Sequence, residues 1–215
     1  MAMPANWHSE FAKVISCQHC TQVTDRNLKR DACEDVPQPG YIGSRYHQTR
    51  LLLVGQNPGK PGNLAAADRP YTEALRALRD EPTPQLYASL SKVLRDFIPQ
   101  WPVHGHYFPL SECGLTLEDI AYCNIVRCRT EENRAPNQLL AMQCLSQHFA
   151  RWIDLLAPKF VVFVGKWAWQ QGRSTLDKAG IPYDFMNRQR SLSTLEREAN
   201  RIRVIQQVRS HCTGR

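Results

Sequence analysis

The sequence predicts an α/β fold: a single three-layer α/β/α domain built on a short central parallel sheet. Three observations carry that expectation. "RLLLVG" (50–55) and "KFVVFVG" (159–165) are short apolar runs ending in glycine, the pattern of strands buried on both faces. "IAYCNIV" (120–126) has the same character. Stretches with helical periodicity separate the three, and strands alternating with helices argue for parallel pairing under two helical layers.

Taken in order, residues 1–49 read as a lead-in with one short helix, containing "CQHC" and the turn-prone "EDVPQPGYIGS". After the first strand, the spans 71–79 and 86–98 predict helices split by the loop "DEPTP". The stretch 99–114, rich in proline, glycine and aromatic residues, predicts a loop, so 80–119 reads as an inserted helix and loop region. A helix over 136–156 follows the second strand, and "KWAWQQGRSTLDKAG" a helix after the third. A short strand at 183–186 and a basic helix over 192–209 complete one domain, residues 1–215, without internal repeats.

With 27 Lys and Arg against 20 Asp and Glu, the chain carries a formal charge of +7, which suits a polyanionic partner. No stretch approaches the roughly 20 apolar residues of a membrane helix, so no membrane partner is expected. The start has neither a basic n-region nor an apolar h-region, and a cytoplasmic location is the expectation. In that setting eight cysteines read as ligands or free thiols rather than disulfides.

Cys17 and Cys20, two residues apart, can reach one metal centre, although a redox pair fits the same spacing. Cys128 at a strand end and Cys144 in the next helix can return to each other, with Cys33 and Cys113 as substitutes. Four thiolates suit zinc or an iron–sulfur cluster, and spacing alone does not separate them. Cys123 and Cys212 read as small buried hydrophobes.

Ligands of open parallel sheets bind beyond the carboxyl ends of the strands. "VGQNPGKPG" lies there, with Gly55, Gly59 and Gly62 permitting close backbone approach. Asn57 can hold a water against a substrate; a phosphate-cradling or structural turn fits equally. Asn124, an amide among apolar neighbours, either caps a loop or offers a donor–acceptor edge that matches a pyrimidine.

Together these motifs resemble the uracil-DNA glycosylase superfamily, most closely its iron–sulfur branch, the family 4 enzymes. Where that branch reads GEAPG, this chain has "GQNPG"; where it reads G-x-P-F, this chain has "DRPY". "CNIVRCRTEENRAP" matches TNxVKCRPPxNRxP at Asn124, Val126, Cys128, Arg129, Asn133, Arg134 and Pro136, and "FVVFVGKWA" matches the last strand with its G-[RK]-x-A.

The resemblance implies a monofunctional DNA glycosylase with DNA as partner, expected to act as a monomer. It implies a 4Fe–4S cluster, favoured over zinc, on Cys17, Cys20, Cys128 and Cys144. Asn57 and the Gln56–Asn57 backbone would serve the chemistry. Tyr71 would stack on the flipped base, Asn124 would read its edge, and Gly55 and Gly62 would line the pocket. Arg129 and Arg134 would face phosphate or pack on the cluster.

Three departures stand out. The family's His-Pro-Ser element is replaced by "MNRQRSL", offering Asn187, Arg188, Gln189 and Arg190 to the leaving group or DNA. Pro61 and Gly62 replace the acidic residue beside C5 of the pyrimidine, and the span from Tyr71 to Asn124 is long. An open C5 side widens the expected substrates from uracil to a C5-modified cytosine such as glucosylated hydroxymethylcytosine of phage DNA. The competing readings are a weakly catalytic or non-catalytic DNA-binding module, and a zinc protein with a phosphate loop. In the latter, His104 and His106 are possible ligands. The basic stripe from Arg188 to Arg209 reads either as a phosphate clamp or as a solvated helix face.

Overall fold

The computed structural model describes residues 7–22, 36–59, 65–81, 108–130, 134–187 and 192–214, together with 83, 85–87, 90 and 92–93. A five-stranded sheet runs through its centre in the order β1-β3-β2-β4-β5. β2 (Leu51–Gly55), β3 (Ile120–Asn124), β4 (Phe160–Val164) and β5 (Tyr183–Met186) are parallel. β2, β3 and β4 are the strands that apolar runs predict, and β5 is the short strand expected at 183–186.

β1 (Tyr41–Ile42) departs from the expected wholly parallel sheet. It pairs antiparallel with β3, Tyr41 opposite Tyr122, and so covers the β3 edge. The backbone continues this cover, with Gly43 N donating to Ile120 O at 2.8 Å and Gln38 N to Arg127 O at 2.8 Å. Two residues inside a proline- and glycine-rich lead-in carry no periodic signal, so only the need to satisfy an edge strand reveals them.

Alternate residues of each strand feed two cores. Leu52, Val54, Cys123, Val161 and Phe163 face a large core that also takes Phe11, Leu75, Leu140, Trp152 and Leu176. Leu51, Leu53, Phe160 and Val162 face a smaller one with Phe108, Val204 and Val208. The helices are thus shared unequally. α1 (Trp7–Ile15), α3 (Ala65–Asp80), α4 (Gln138–Cys144), α5 (Ala150–Leu156) and α6 (Lys166–Ala179) serve the first core. α7 (Thr194–Val208) covers the second; α2 (Tyr46–Thr49) is a single turn before β2.

Local chemistry sets most boundaries. Ser193 and Glu196 form a reciprocal capping box that starts α7, and Asn137 Oδ1 accepts from Leu140 N at the start of α4. α3 begins six residues before the expected Tyr71, because the run Ala65–Ala67 is helical enough to precede Pro70. Pro70 then withholds only one backbone bond. A π turn (Leu145–Phe149) joins α4 to α5, and Arg209–Thr213 extends α7 in the same way. Of the expected helix over 86–98, the described residues 86, 87, 90, 92 and 93 are helical.

At the start of β3, Asp119 is 8% exposed and holds Arg45 through two of its guanidinium nitrogens, Nε and Nη2, at 2.7 and 3.0 Å. It also accepts from Thr116 N and Oγ1, both at 2.8 Å. The Arg45 and Thr116 bonds hold its carboxyl below the usual range. A carboxylate depressed on folding contributes stability above about pH 4 and loses it as pH falls through the depressed value. Asp119→Asn should therefore lower unfolding free energy by about 1–3 kcal/mol at neutral pH. It should also flatten the acid limb of the stability curve, measured by urea melts between neutral and acid pH.

Candidate functional site

β2 has β3 on one side and β4 on the other, which makes its carboxyl end the switch point where such sheets bind ligands. There Gly55 lies opposite Asn124 in register. The pairing runs on past the strands, with Ile125 N donating to Gly55 O at 2.9 Å and Val126 N to Gln56 O at 3.0 Å. The loops carrying Asn57 and Asn124 therefore leave the sheet side by side. The sequence-predicted amides are brought together by backbone pairing.

Gly55 is required here by space. A Cβ on it would collide with Asn124 Oδ1 and come within 2.7 Å of Tyr122 Oη. Asn124 is 5% exposed and its Oδ1 accepts from Tyr122 Oη at 2.9 Å. Tyr122 went unread in the sequence, where it looks like one more strand residue. Its place two positions before Asn124, on the same face of β3, is the signal that could have found it.

Asn57 is held on three sides. Its Nδ2 donates to Thr130 Oγ1 at 3.0 Å and to Pro58 O at 3.3 Å, while its Oδ1 accepts from Gln56 Nε2 at 3.1 Å. Thr130, 2% exposed, donates in turn to Arg134 O at 2.6 Å. Both Gln56 and Asn57 are half-buried, so the turn is partly open to a ligand.

Tyr71 is 1% exposed and packs in the large core with Leu75 and Leu78. Asn187 follows β5 directly; its N–H donates to Asn200 Oδ1 at 2.7 Å, fastening that strand end to α7. Gly62, Arg188, Gln189 and Arg190 lie outside the described residues, as do Cys33, Pro61, His104, His106 and Asn133.

The four expected ligands come from three elements on one side of the sheet. Cys20, Cys128 and Cys144 are buried and Cys17 is partly so. Cys20 Sγ donates to Gln143 Oε1 at 3.5 Å, beside Cys144 on α4. A hydrogen bond with Cys144, then burial, then the charges of Cys144, Cys128 and Cys17 push the Cys20 thiol well above its ordinary range. Among the described residues no group of three or more His, Cys, Asp or Glu side chains adopts a ready metal geometry. Yet Cys20 feels each of the other three sulfurs. Four thiols from neighbouring segments are the donor chemistry that a thiolate-ligated centre would need.

Cys113 belongs elsewhere. It is buried in the smaller core with Cys212, across the sheet from the other four; burial, opposed by Lys159 and helped by Cys113, raises the Cys212 thiol to about 12. It is no substitute ligand. Cys123 sits in β3 within the large core, as expected of a small hydrophobe.

Arginines sort by burial. Arg129 is 7% exposed, in keeping with packing rather than phosphate contact, whereas Arg134 is exposed. Arg127 is 1% exposed; its Nη1 donates to Pro39 O at 2.6 Å and its guanidinium lies 4.7 Å from the Trp152 ring centre. Burial and this nearby cation push His148, on the π turn, down to about 4. Three arginines of the described part of the stripe have partners elsewhere in the fold. Arg203 pairs with buried Asp184, Arg201 bridges Glu112 and Glu198, and Arg209 donates to Glu112 O at 2.5 Å.

The fold and strand-end geometry define an α/β protein whose Asn57 turn and Asn124 strand end leave the sheet together at its switch point. The profile of the uracil DNA glycosylase superfamily matches residues 43–205, and the chain belongs to that superfamily. It is 25% identical over 154 residues to the type-4 uracil-DNA glycosylase of Sulfurisphaera tokodaii, a match covering 72% of this chain. The chain spans about half, 52%, of that relative's length. Among the described residues no helix is long and apolar enough to cross a membrane.

Gly55→Ala tests the strand-end geometry. The collision falls on side-chain ends that can swing away, so the fold should survive with a cooperative melt. If the Asn124 amide reads a base, displacing it should weaken recognition about 5- to 150-fold, the equivalent of about 1–3 kcal/mol for a bidentate base contact. Binding or turnover of a pyrimidine-containing oligonucleotide measures it.

Proposed function

We propose that this protein is a monofunctional DNA glycosylase. It would extrude a pyrimidine from DNA, hydrolyse the N-glycosidic bond and leave an abasic site. The observation that carries the reading is the junction of β2 and β3, where the Asn57 and Asn124 loops emerge in register around a glycine.

In this reading Asn124 reads the everted base, with its amide steadied by Tyr122. Tyr71 is the residue proposed to stack against the base, for which its ring, 1% exposed in the large core, would have to be uncovered. The reaction joins a water oxygen to C1′ while the C1′–N bond breaks and its electron pair goes to the base. Positive charge grows on the sugar and negative charge on the base. N–H groups of the Gln56–Asn57 turn would steady that anion. Asn57 is neutral, so it orients the water and takes no proton from it; the proton passes to solvent. Leaving-group stabilisation therefore carries more of the rate than in a site with a carboxylate base. Asn187, Arg188, Gln189 and Arg190 are the donors proposed to stand in for the missing His-Pro-Ser element.

Cys17, Cys20, Cys128 and Cys144 are proposed to hold a 4Fe–4S cluster. When bound, such a cluster would supply a rigid anchor for the loop after β3 rather than a reacting group. Exposed Arg134 would then meet phosphate, while Arg129 packs behind it.

The proposed substrates are uracil and a C5-modified cytosine such as glucosylated hydroxymethylcytosine. The support for the second is the sequence replacement at Pro61 and Gly62, where an acidic residue would otherwise stand beside C5. Oligonucleotides containing uracil, hypoxanthine or C5-modified cytosine, followed by alkaline cleavage, provide the test. Release of uracil alone would remove the enlarged-pocket part. Tight binding without release of any base would favour a non-catalytic DNA-binding module.

For the cluster, anaerobically purified protein should contain about four iron atoms per chain and absorb at about 400 nm, as expected of such centres. Cys128→Ser should lose most of both. Stoichiometric zinc with no iron would overturn this assignment.

A further inference from the structure

The hydrogen bonds around Asn57 have a direction that its neighbours impose. Thr130 has one hydroxyl proton, and at 2.6 Å it goes to Arg134 O, a carbonyl that can only accept. The hydroxyl is therefore left with lone pairs alone to offer Asn57. The group facing it at 3.0 Å must be the amide nitrogen. Pro58 O, also only an acceptor, lies on the same nitrogen at 3.3 Å. On the other side Gln56 Nε2 donates to Asn57 Oδ1 at 3.1 Å, which closes a consistent chain from Gln56 to Arg134. An asparagine amide can otherwise rotate by half a turn, exchanging donor and acceptor at small cost.

We infer that Thr130 is a positioning residue that locks the Asn57 amide with its oxygen on the Gln56 side. One acceptor lone pair of Oδ1 is then left for the attacking water. The inference rests on the glycosylase reading above and adds a residue to it. A flipped amide would present N–H groups to the water, and a donor there opposes the growth of nucleophilic character on its oxygen. Thr130 is 2% exposed and comes from the loop after β3, so it also ties the Asn57 turn to the segment that begins at Cys128. The motif that "CNIVRCRTEENRAP" resembles has proline at this position, which could not accept the bond.

The test uses the full chain and single-turnover release of whichever base of the panel it removes fastest. Thr130→Val and Thr130→Ala are expected to slow release at saturating protein by about tenfold or more, with DNA affinity within about twofold of the starting protein. Thr130→Ser is expected to stay within about threefold. In an Asn57→Ala background, Thr130→Val should add nothing further, because the threonine acts through that amide.

Should Val fail to melt cooperatively, the comparison of Ala with Ser decides. Release that survives Thr130→Val and Thr130→Ala within about twofold overturns the assignment, and so does a full further loss in the Asn57→Ala background. A starting protein that releases no base, or an Asn57→Ala variant as fast as the starting protein, overturns the glycosylase reading and this inference with it.

Discussion

Backbone pairing between the ends of β2 and β3 is the constraint on which the site depends. Two N–H groups beyond the last strand residue of β3, at Ile125 and Val126, donate to Gly55 and Gln56. They fix the register of two loops that are far apart in sequence. A slip of one residue would turn Asn124 to the opposite face, away from the space left by Gly55. The absence of a side chain at Gly55 and the presence of an amide at Asn124 are two halves of one arrangement.

Around that pairing the chain places polar groups in short, directed chains rather than as isolated side chains. Tyr122 gives its proton to Asn124, while Gln56, Asn57, Thr130 and Arg134 form a second line. Partly buried amides that are satisfied in this way keep one orientation, which a site needs if a neutral residue is to do the work of a carboxylate. A turn with a freely rotating asparagine would spend half its time presenting the wrong end.

Below the loop after β3 lies a different environment. Arg127 is buried without a carboxylate partner among the described residues, supported by Pro39 O and the Trp152 ring, and its charge reaches His148 and Cys123. A buried cation in this layer is costly unless an anion lies near. Four thiolates with their metal ions would form such an anion, and Cys128 is the next residue. By contrast, the arginines of α7 are used to fasten that helix to Glu112 and Asp184, so the net positive charge overstates what is free to meet a polyanion.

The sequence by itself determined the order of strands and helices, the family resemblance and the residues at strand ends. Apolar runs, glycine stops and ordered motifs are local signals, and they survive without neighbours. It could not show β1, whose two residues matter only because β3 has an edge to cover. Nor could it show that Cys113 lies across the sheet from Cys17, Cys20, Cys128 and Cys144, since spacing does not report which face a side chain takes. Tyr122 offered only its two-residue spacing from Asn124 as a signal and Thr130 offered none, for a related reason. A hydroxyl becomes part of a site only when folding brings a particular amide within bonding distance, and that is decided by register between strands, which no single segment contains.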